Sequence, residues 1–322
     1  MTKITHITKL AEDIAPGRTS GMRLKENILS FILDIGGMDR TARETMEEKL
    51  RHNLGAVDEV DEIKIIQTSE KRPITIIAVG SGKGGVGKST LSANLAIALK
   101  RAGKNVGMVD ADIYGPSQPR LLNMEDEKPK AEDKKLIPVM NDFGIPMLSM
   151  GQLAKPGQAI AWRGPMAGNA LHQLIDAHWG DTDLLIVDLP PGTGDVQLSM
   201  VQKHKPDAAL IISTPQDLAL IDAARAINFF DAAKVPIIGL VENMAGYLCP
   251  HCGEVSDPFG KGGAEAAADK MQLPFLGRIP LDMSIRMASD DGTPPALEDG
   301  PIGKGFAAIA HKVTTWLDEK NK

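Results

Sequence analysis

The apolar residues of this chain follow two rhythms. Short runs such as Ile74-Thr75-Ile76-Ile77-Ala78-Val79 are apolar almost throughout, as strands buried on both faces are. Between such runs lie longer stretches in which apolar residues return every three or four positions, as on one face of a helix. The first rhythm predicts strands over 74–80, 105–110, 145–150, 184–188, 208–213, 237–241 and 275–279. The second predicts helices over 88–102, 164–177, 218–233, 263–271 and 304–317. Strand then helix, repeated, implies an α/β fold with a mostly parallel, doubly wound sheet covered on both faces.

Upstream of residue 74 the rhythm changes. Residues 24–35 alternate loosely and read as a strand, 41–54 carry apolar Met46 and Leu50 among charges and read as a helix, and 60–68 alternate again. The polar run Glu70-Lys71-Arg72-Pro73 reads as a hinge. The expectation is a small N-terminal αβ domain over 1–70 and a larger domain over 71–322. The charge-rich stretch 125–135 is expected to be a solvated loop without structure. In the last helix Phe306, Ile309, Val313, Trp316 and Leu317 share a face, which predicts packing against the core. Asp318 and Glu319 offset Lys312 and Lys320, whereas a helix lying on a membrane would carry an excess of basic charge.

Composition narrows the classes. The 322 residues carry a net charge of −6, which argues against a nucleic-acid partner. No stretch approaches the roughly 20 apolar residues of a membrane span, and residues 1–14 lack the apolar core of a signal peptide. The expectation is a cytoplasmic protein with no membrane partner. Only two cysteines are present, Cys249 and Cys252, which suits a reducing compartment.

The strand at 74–80 runs into Gly80-Ser81-Gly82-Lys83-Gly84-Gly85-Val86-Gly87-Lys88-Ser89-Thr90, and a helix pattern follows. The spacing G-x-x-x-x-G-K-[ST] from Gly82 to Ser89 is that of a phosphate-binding loop. Glycines let successive N–H groups turn inward as an anion nest, and the following helix adds its free N–H groups and positive dipole end. Lys88 is placed to reach the β- and γ-phosphates of ATP, and the Ser89 hydroxyl to bind Mg²⁺.

Three further strand ends carry polar residues. Asp110 and Asp112 close the strand at 105–110, at the edge where a doubly wound sheet forms its ligand crevice. Asp188 ends the apolar run 184–188, the Walker-B arrangement, with Asp188 near Mg²⁺. Pro190-Pro191-Gly192-Thr193-Gly194 then forms a stiff turn with glycine pivots, suited to sensing a γ-phosphate. Asn243 follows another strand; its amide suits adenine, and asparagine is also an ordinary turn residue.

Cys249-Pro250-His251-Cys252-Gly253 sets two thiols on one side of a tight turn, as in zinc and iron sites. A redox dithiol would sit at a helix N-terminus, but the next residues read as loop. An inert surface pair is the remaining alternative. His251, between the two, is expected to point away. A closed zinc or iron–sulfur site takes four protein ligands and this chain has two cysteines. A two-fold dimer would bring two pairs together.

In combination, residues 72–302 resemble the Mrp-type iron–sulfur cluster carriers of the MinD/ParA group of P-loop ATPases. The motifs are SGKGGVGKST (81–90), VDADIYGPS (109–117), WRGPM (162–166), VDLPPGTGDVQLS (187–199), CPHCG (249–253) and LGRIPLD (276–282). Lys83 matches the second lysine of that group's K-G-G-x-G-K-[ST] loop, which crosses a dimer interface to the partner's nucleotide. The resemblance implies a homodimeric, slow ATPase holding a labile [4Fe–4S] cluster through Cys249 and Cys252 of each subunit and passing it to apo iron–sulfur acceptor proteins. It further implies Lys88, Ser89 and Thr90 on phosphates and Mg²⁺, Asp112 orienting the attacking water, and Asp188 supporting Mg²⁺. Residues 1–70 look like a shortened form of the small αβ domain many carriers possess. No four-cysteine motif is present there, so a second stable cluster is not expected. The rival readings are a MinD/ParA-type positioning ATPase acting on membrane or DNA, and a zinc-stapled regulatory ATPase.

Overall fold

The computed structural model describes residues 3–36, 38, 40–68, 74–153 and 165–320. The chain divides into two compact units, one of residues 1–73 with 132–137 and 178–181, the other of the remainder.

The first unit holds β1 (Thr19–Lys25), β2 (Ile28–Asp34) and β3 (Glu62–Thr68) in the order β1-β2-β3. β1 runs antiparallel and β3 parallel to β2. Every second residue of β2 is buried, so Leu29, Phe31 and Leu33 face one core. Ile7 and Ala11 of the helix Lys3–Ile14, and Leu50 and Leu54 of the helix Arg40–Gly55, complete it. The single strand expected over 24–35 is instead a hairpin. Glu26 and Asn27 both take positive φ, 51° and 60°, and reverse the chain. The hinge expected at 70–73 lies outside the described residues.

The second unit opens with β4 (Thr75–Ser81), the helix Lys88–Arg101 and β5 (Val106–Asp110). The charged stretch expected to be structureless contains β6 (Lys130–Glu132), which forms a hairpin with β7 (Lys135–Ile137), and residues 132–137 of that hairpin belong to the first unit. Asp133 and Lys134 make that turn at positive φ without a glycine, so no local signal marks it. Then come β8 (Val139–Met140), β9 (Pro146–Ser149), β10 (Leu184–Asp188), β11 (Ala208–Ser213), β12 (Ile237–Leu248), β13 (Val255–Ser256) and β14 (Phe275–Leu281). Among the described residues they make a nine-stranded sheet in the order β13-β12-β11-β4-β10-β5-β9-β8, with β14 also on β12. Only β8 and β13 run antiparallel to their neighbours.

β5, β10 and β11 are buried at every position, which is why their sequences are apolar without alternation. The final helix, Pro301–Lys320, buries Phe306, Ile309, Val313 and Leu317 in the core shared with the helix Lys88–Arg101. Each such side chain contributes about 1.5–3 kcal/mol of burial. No helix among the described residues is long and apolar enough to cross a membrane.

The sheet order decides where a ligand goes. The chain passes from β4 to β5, yet β10 lies between them. The carboxyl ends of these three strands therefore surround one crevice, at the point where the winding reverses.

Candidate functional site

The loop after β4 takes its shape from glycine. Gly85 and Gly87 stand at φ +77° and +86°, which other residues adopt only with strain. Gly82 packs so tightly on the helix Asp217–Ala232 that a Cβ there would overlap the Asp222 backbone carbonyl. The loop closes a pocket of about 210 Å³ lined by Ser81, Lys83, Gly84, Gly85, Gly87, Lys88, Ser89, Thr90, Asp112 and Pro191. Gly82 and Val86 belong to the loop but do not line the pocket; Val86 is buried beneath it.

Lys88 is 6% exposed, and its ammonium donates to Asp188 Oδ1 at 2.6 Å. Asp112 Oδ2 lies 3.9 Å from the same nitrogen. Asp188, fully buried, also accepts from Ser92 Oγ at 3.1 Å and from Gln118 Nε2 at 2.9 Å. Gln118 Nε2 donates to the Ser89 carbonyl as well, at 2.9 Å. Ser89 and Asp188 thus offer the oxygen ligands a magnesium ion prefers. Gln118 Oε1, on the same amide, is buried without a hydrogen-bond partner among the described residues.

The two neighbouring aspartates separate in role. Asp112 lines the pocket, with Oδ1 accepting from the Tyr114 and Gly115 amides at 3.1 and 3.3 Å. Burial pushes its carboxyl up, against the pull of Lys88. Asp110 lies behind it, wholly buried, and accepts from the Asp112 and Gln118 amides and from Ser149 Oγ. Burial first, and the Asp188 charge second, raise it to about 7.

The Pro190–Asp195 turn is tied to the phosphate loop. The Gly192 amide donates to the Ser81 carbonyl at 2.9 Å, with Gly192 at φ +85°. Gln197 Nε2 holds the turn from the other side through the Pro190 carbonyl at 2.5 Å. Of the WRGPM motif, residues 162–164 lie outside the described residues, as does the first residue of the helix expected over 164–177; Met166 is exposed on the helix Pro165–Ile175.

Asn243, on β12, donates its amide N–H to the Val86 carbonyl at 2.8 Å. β12 then runs on to Leu248 and pairs with β13 through Tyr247–Ser256 and Leu248–Val255. Cys249 and Cys252 occupy the tip of this hairpin as free thiols, Cys252 exposed and Cys249 half-buried. The Gly253 amide donates to the Cys249 carbonyl at 2.9 Å and Gly253 turns at φ +74°. The backbone amides of Cys252 and His251, in that order, hold the Cys249 thiol below its usual pKa. A turn that aims N–H groups at sulfur favours the thiolate, the form that binds metal. Among the described residues no group of three or more His, Cys, Asp and Glu side chains is gathered to hold a metal ion.

Local spacing marks the loop lysines, Ser89 and the cysteine pair. Ser92 was also within reach of a sequence reading, because it lies one helical turn after Lys88. Gln118 and Ser149 were not, because only the sheet order brings them to Asp188 and Asp110.

A glycine loop between a central parallel strand and a helix, faced by a strand-end aspartate, defines a P-loop NTPase. Solved structures agree. A nucleotide-binding protein of Archaeoglobus fulgidus in complex with ADP superposes with TM-score 0.62 at 39% identity, over 70% of this chain and 88% of that one. The septum site-determining protein MinD of Pyrococcus horikoshii, complexed with Mg-ADP, shares the fold with TM-score 0.59 at 24% identity, over 75% and 96%. A family model described as ParA, NUBPL iron-transfer P-loop NTPase, matches residues 73–314. The iron–sulfur protein required for NADH dehydrogenase, mitochondrial, of Arabidopsis thaliana is 48% identical over 248 residues, 76% of this chain and 79% of that protein. The iron–sulfur cluster carrier protein of Pyrococcus horikoshii is 44% identical over 266 residues, 79% and 90%. That of Escherichia coli K12 is 42% identical over 276 residues, 85% and 72%. The chain belongs to this ParA family of iron-transfer P-loop NTPases.

Proposed function

We propose that the protein is an ATP-hydrolysing carrier that holds a [4Fe–4S] cluster between two copies of itself and delivers it to apo iron–sulfur proteins. The observation that carries this reading is the hairpin tip of β12 and β13, with two free thiols and none beyond them in the chain. Four thiolates are required, and two-fold symmetry supplies them. The exposed apolar residues near the loop support a second copy. Tyr114 is 82% exposed two residues beyond Asp112, and Leu218, 74% exposed, stands on the helix that abuts Gly82.

At the nucleotide, Lys88 exchanges Asp188 for the β- and γ-phosphates of ATP. Ser89 and Asp188 would hold Mg²⁺, which neutralises charge on those phosphates when bound. Asp112, which lines the pocket beside Lys88, orients the attacking water. Lys83 lines the pocket and, in the dimer, reaches the partner's nucleotide. Thr90 adds its hydroxyl at the phosphate end. Residues 1–70 act as an accessory interaction domain. The protein works in the cytoplasm, with neither membrane nor nucleic acid as a partner.

Anaerobic reconstitution with iron and sulfide tests this. A brown protein that activates an apo-acceptor is expected, and the Cys249→Ser/Cys252→Ser double variant should stay colourless. Zinc in place of iron and sulfide in the protein as purified, or equal loading of the double variant, refutes the reading.

A further inference from the structure

β12 touches both halves of the machinery. At one point it meets the phosphate loop, and six positions later the chain reaches Cys249. The contact with the loop is Asn243. Its N–H donates to the carbonyl of Val86, a loop residue 2% exposed. The fit is close, because a Cβ on Gly87 would overlap the Asn243 amide nitrogen. Glycine at 87 therefore serves the loop's left-handed turn and the approach of Asn243 together.

The strand changes character at this residue. Up to Asn243 it is clamped on both sides, Val241 and Glu242 pairing with Ile212 and Ser213 of β11 and with Gly277 and Arg278 of β14. Glu242 is buried and accepts from Arg278 Nε at 3.0 Å and from the Ala264 amide at 2.8 Å. Beyond Asn243 the register with β14 breaks and resumes only at Tyr247. Met244 stands at φ +58° and Gly246 at +77° within the break. A bulge of this kind re-aims a strand at a defined point. The cysteine hairpin hangs from the far side of it.

We propose that Asn243 is a positioning residue that couples occupancy of the phosphate loop to the set of the Cys249–Cys252 hairpin, with the bulge at Met244–Gly246 as the pivot. This rests on the carrier reading, since it assigns that site its control. Phosphate binding draws the loop's N–H groups inward, and the Val86 peptide turns with them. Its carbonyl is the group Asn243 holds, so the strand follows at the one place where it is free to bend. One amide hydrogen of Asn243 is committed to the loop, and its second N–H and its carbonyl oxygen remain for an adenine contact.

The test is the alkylation rate of the two cysteines in the full-length, metal-free protein. It is measured without nucleotide and with saturating Mg²⁺ and a non-hydrolysable ATP analogue. The rates should differ by about three- to tenfold, the range one hydrogen bond can transmit. Asn243→Asp, which turns a carboxylate toward the Val86 carbonyl, should bring the ratio to about one at saturation. Met244→Gly, which slackens the pivot and spares the Val86 contact, should lower the ratio too and decides the matter if the first variant fails to fold. A wild-type ratio of one, or a wild-type ratio in either folded variant, overturns the proposal. So does an Asn243→Asp protein that keeps the ratio but loses preference for ATP over GTP, the mark of an adenine contact. No iron or sulfide enters this assay, so failure to load a cluster would refute the carrier reading and leave the coupling standing.

Discussion

Gly82 has no room for a methyl group, because its α-carbon faces the backbone of a packed helix that cannot move aside. Gly85 stands in open space, and its only constraint is its φ of +77°. The two alanine variants should therefore differ. Gly85→Ala should cost about 1–2 kcal/mol, the left-handed penalty. Gly82→Ala should cost more, at least the 1–3 kcal/mol or so of overpacking, and should displace the loop. Thermal melts and nucleotide binding measure both, and equal losses would refute the packing argument. His204 sets a pH dependence. Burial first, then His172 and Lys203, lower its pKa from 6.5 to about 4. The unfolded chain thus takes up a proton below pH 6.5 that the folded chain refuses until about pH 4. Stability contributed at neutral pH is lost as pH falls through that window. His204→Asn should remove about 1–2 kcal/mol of the loss between pH 6.5 and 4.5, read by urea denaturation at each pH. Residues of this kind divide by legibility. The roles proposed for Lys88 and Cys249 rest on their neighbours in sequence. Asp110 and Asp112, two apart, look alike in sequence, and only the fold turns one to the pocket and buries the other behind it.

Elements were legible where their environment is uniform. β10 and β11 match their expected bounds because a strand buried on both faces leaves an unbroken apolar run. β12 extends seven residues past its expected end at Val241, since the bulge at Met244 interrupts the apolar pattern before the strand resumes. The β1–β2 hairpin escaped notice because its turn lacks glycine. Glu26 at φ +51° is a poor residue for that position, and Glu26→Asn should add about 0.5–1 kcal/mol of stability. The Lys88–Asp188 pair ties the loop's helix to β10. Asp188→Ala would leave the Lys88 ammonium buried, with Asp112 3.9 Å away. A loss of about 3–5 kcal/mol in the nucleotide-free protein is expected from breaking such a pair. An unfolding midpoint unchanged by Asp188→Ala would refute it.

At the scale of the whole molecule, the count of thiols makes a prediction that spacing alone cannot. Each chain brings two cysteines to one hairpin tip, and among the described residues no cluster of other ligands supplements them. If the cluster is shared across a two-fold axis, a loaded preparation holds about two irons per chain, and chelation dissolves the contact the cluster makes. Mixing sharpens the point. Wild-type chains combined with an equal amount of the Cys249→Ser/Cys252→Ser chain and allowed to exchange at random form wild-type pairs in about a quarter of all dimers. Hybrid dimers bring two thiolates and cannot close a four-thiolate site. Iron per chain should fall to about a quarter of the wild-type value if the site is shared, and to about half if each chain builds its own. Iron and sulfide analysis after exchange distinguishes the two, and a value near half would place the cargo within a single subunit.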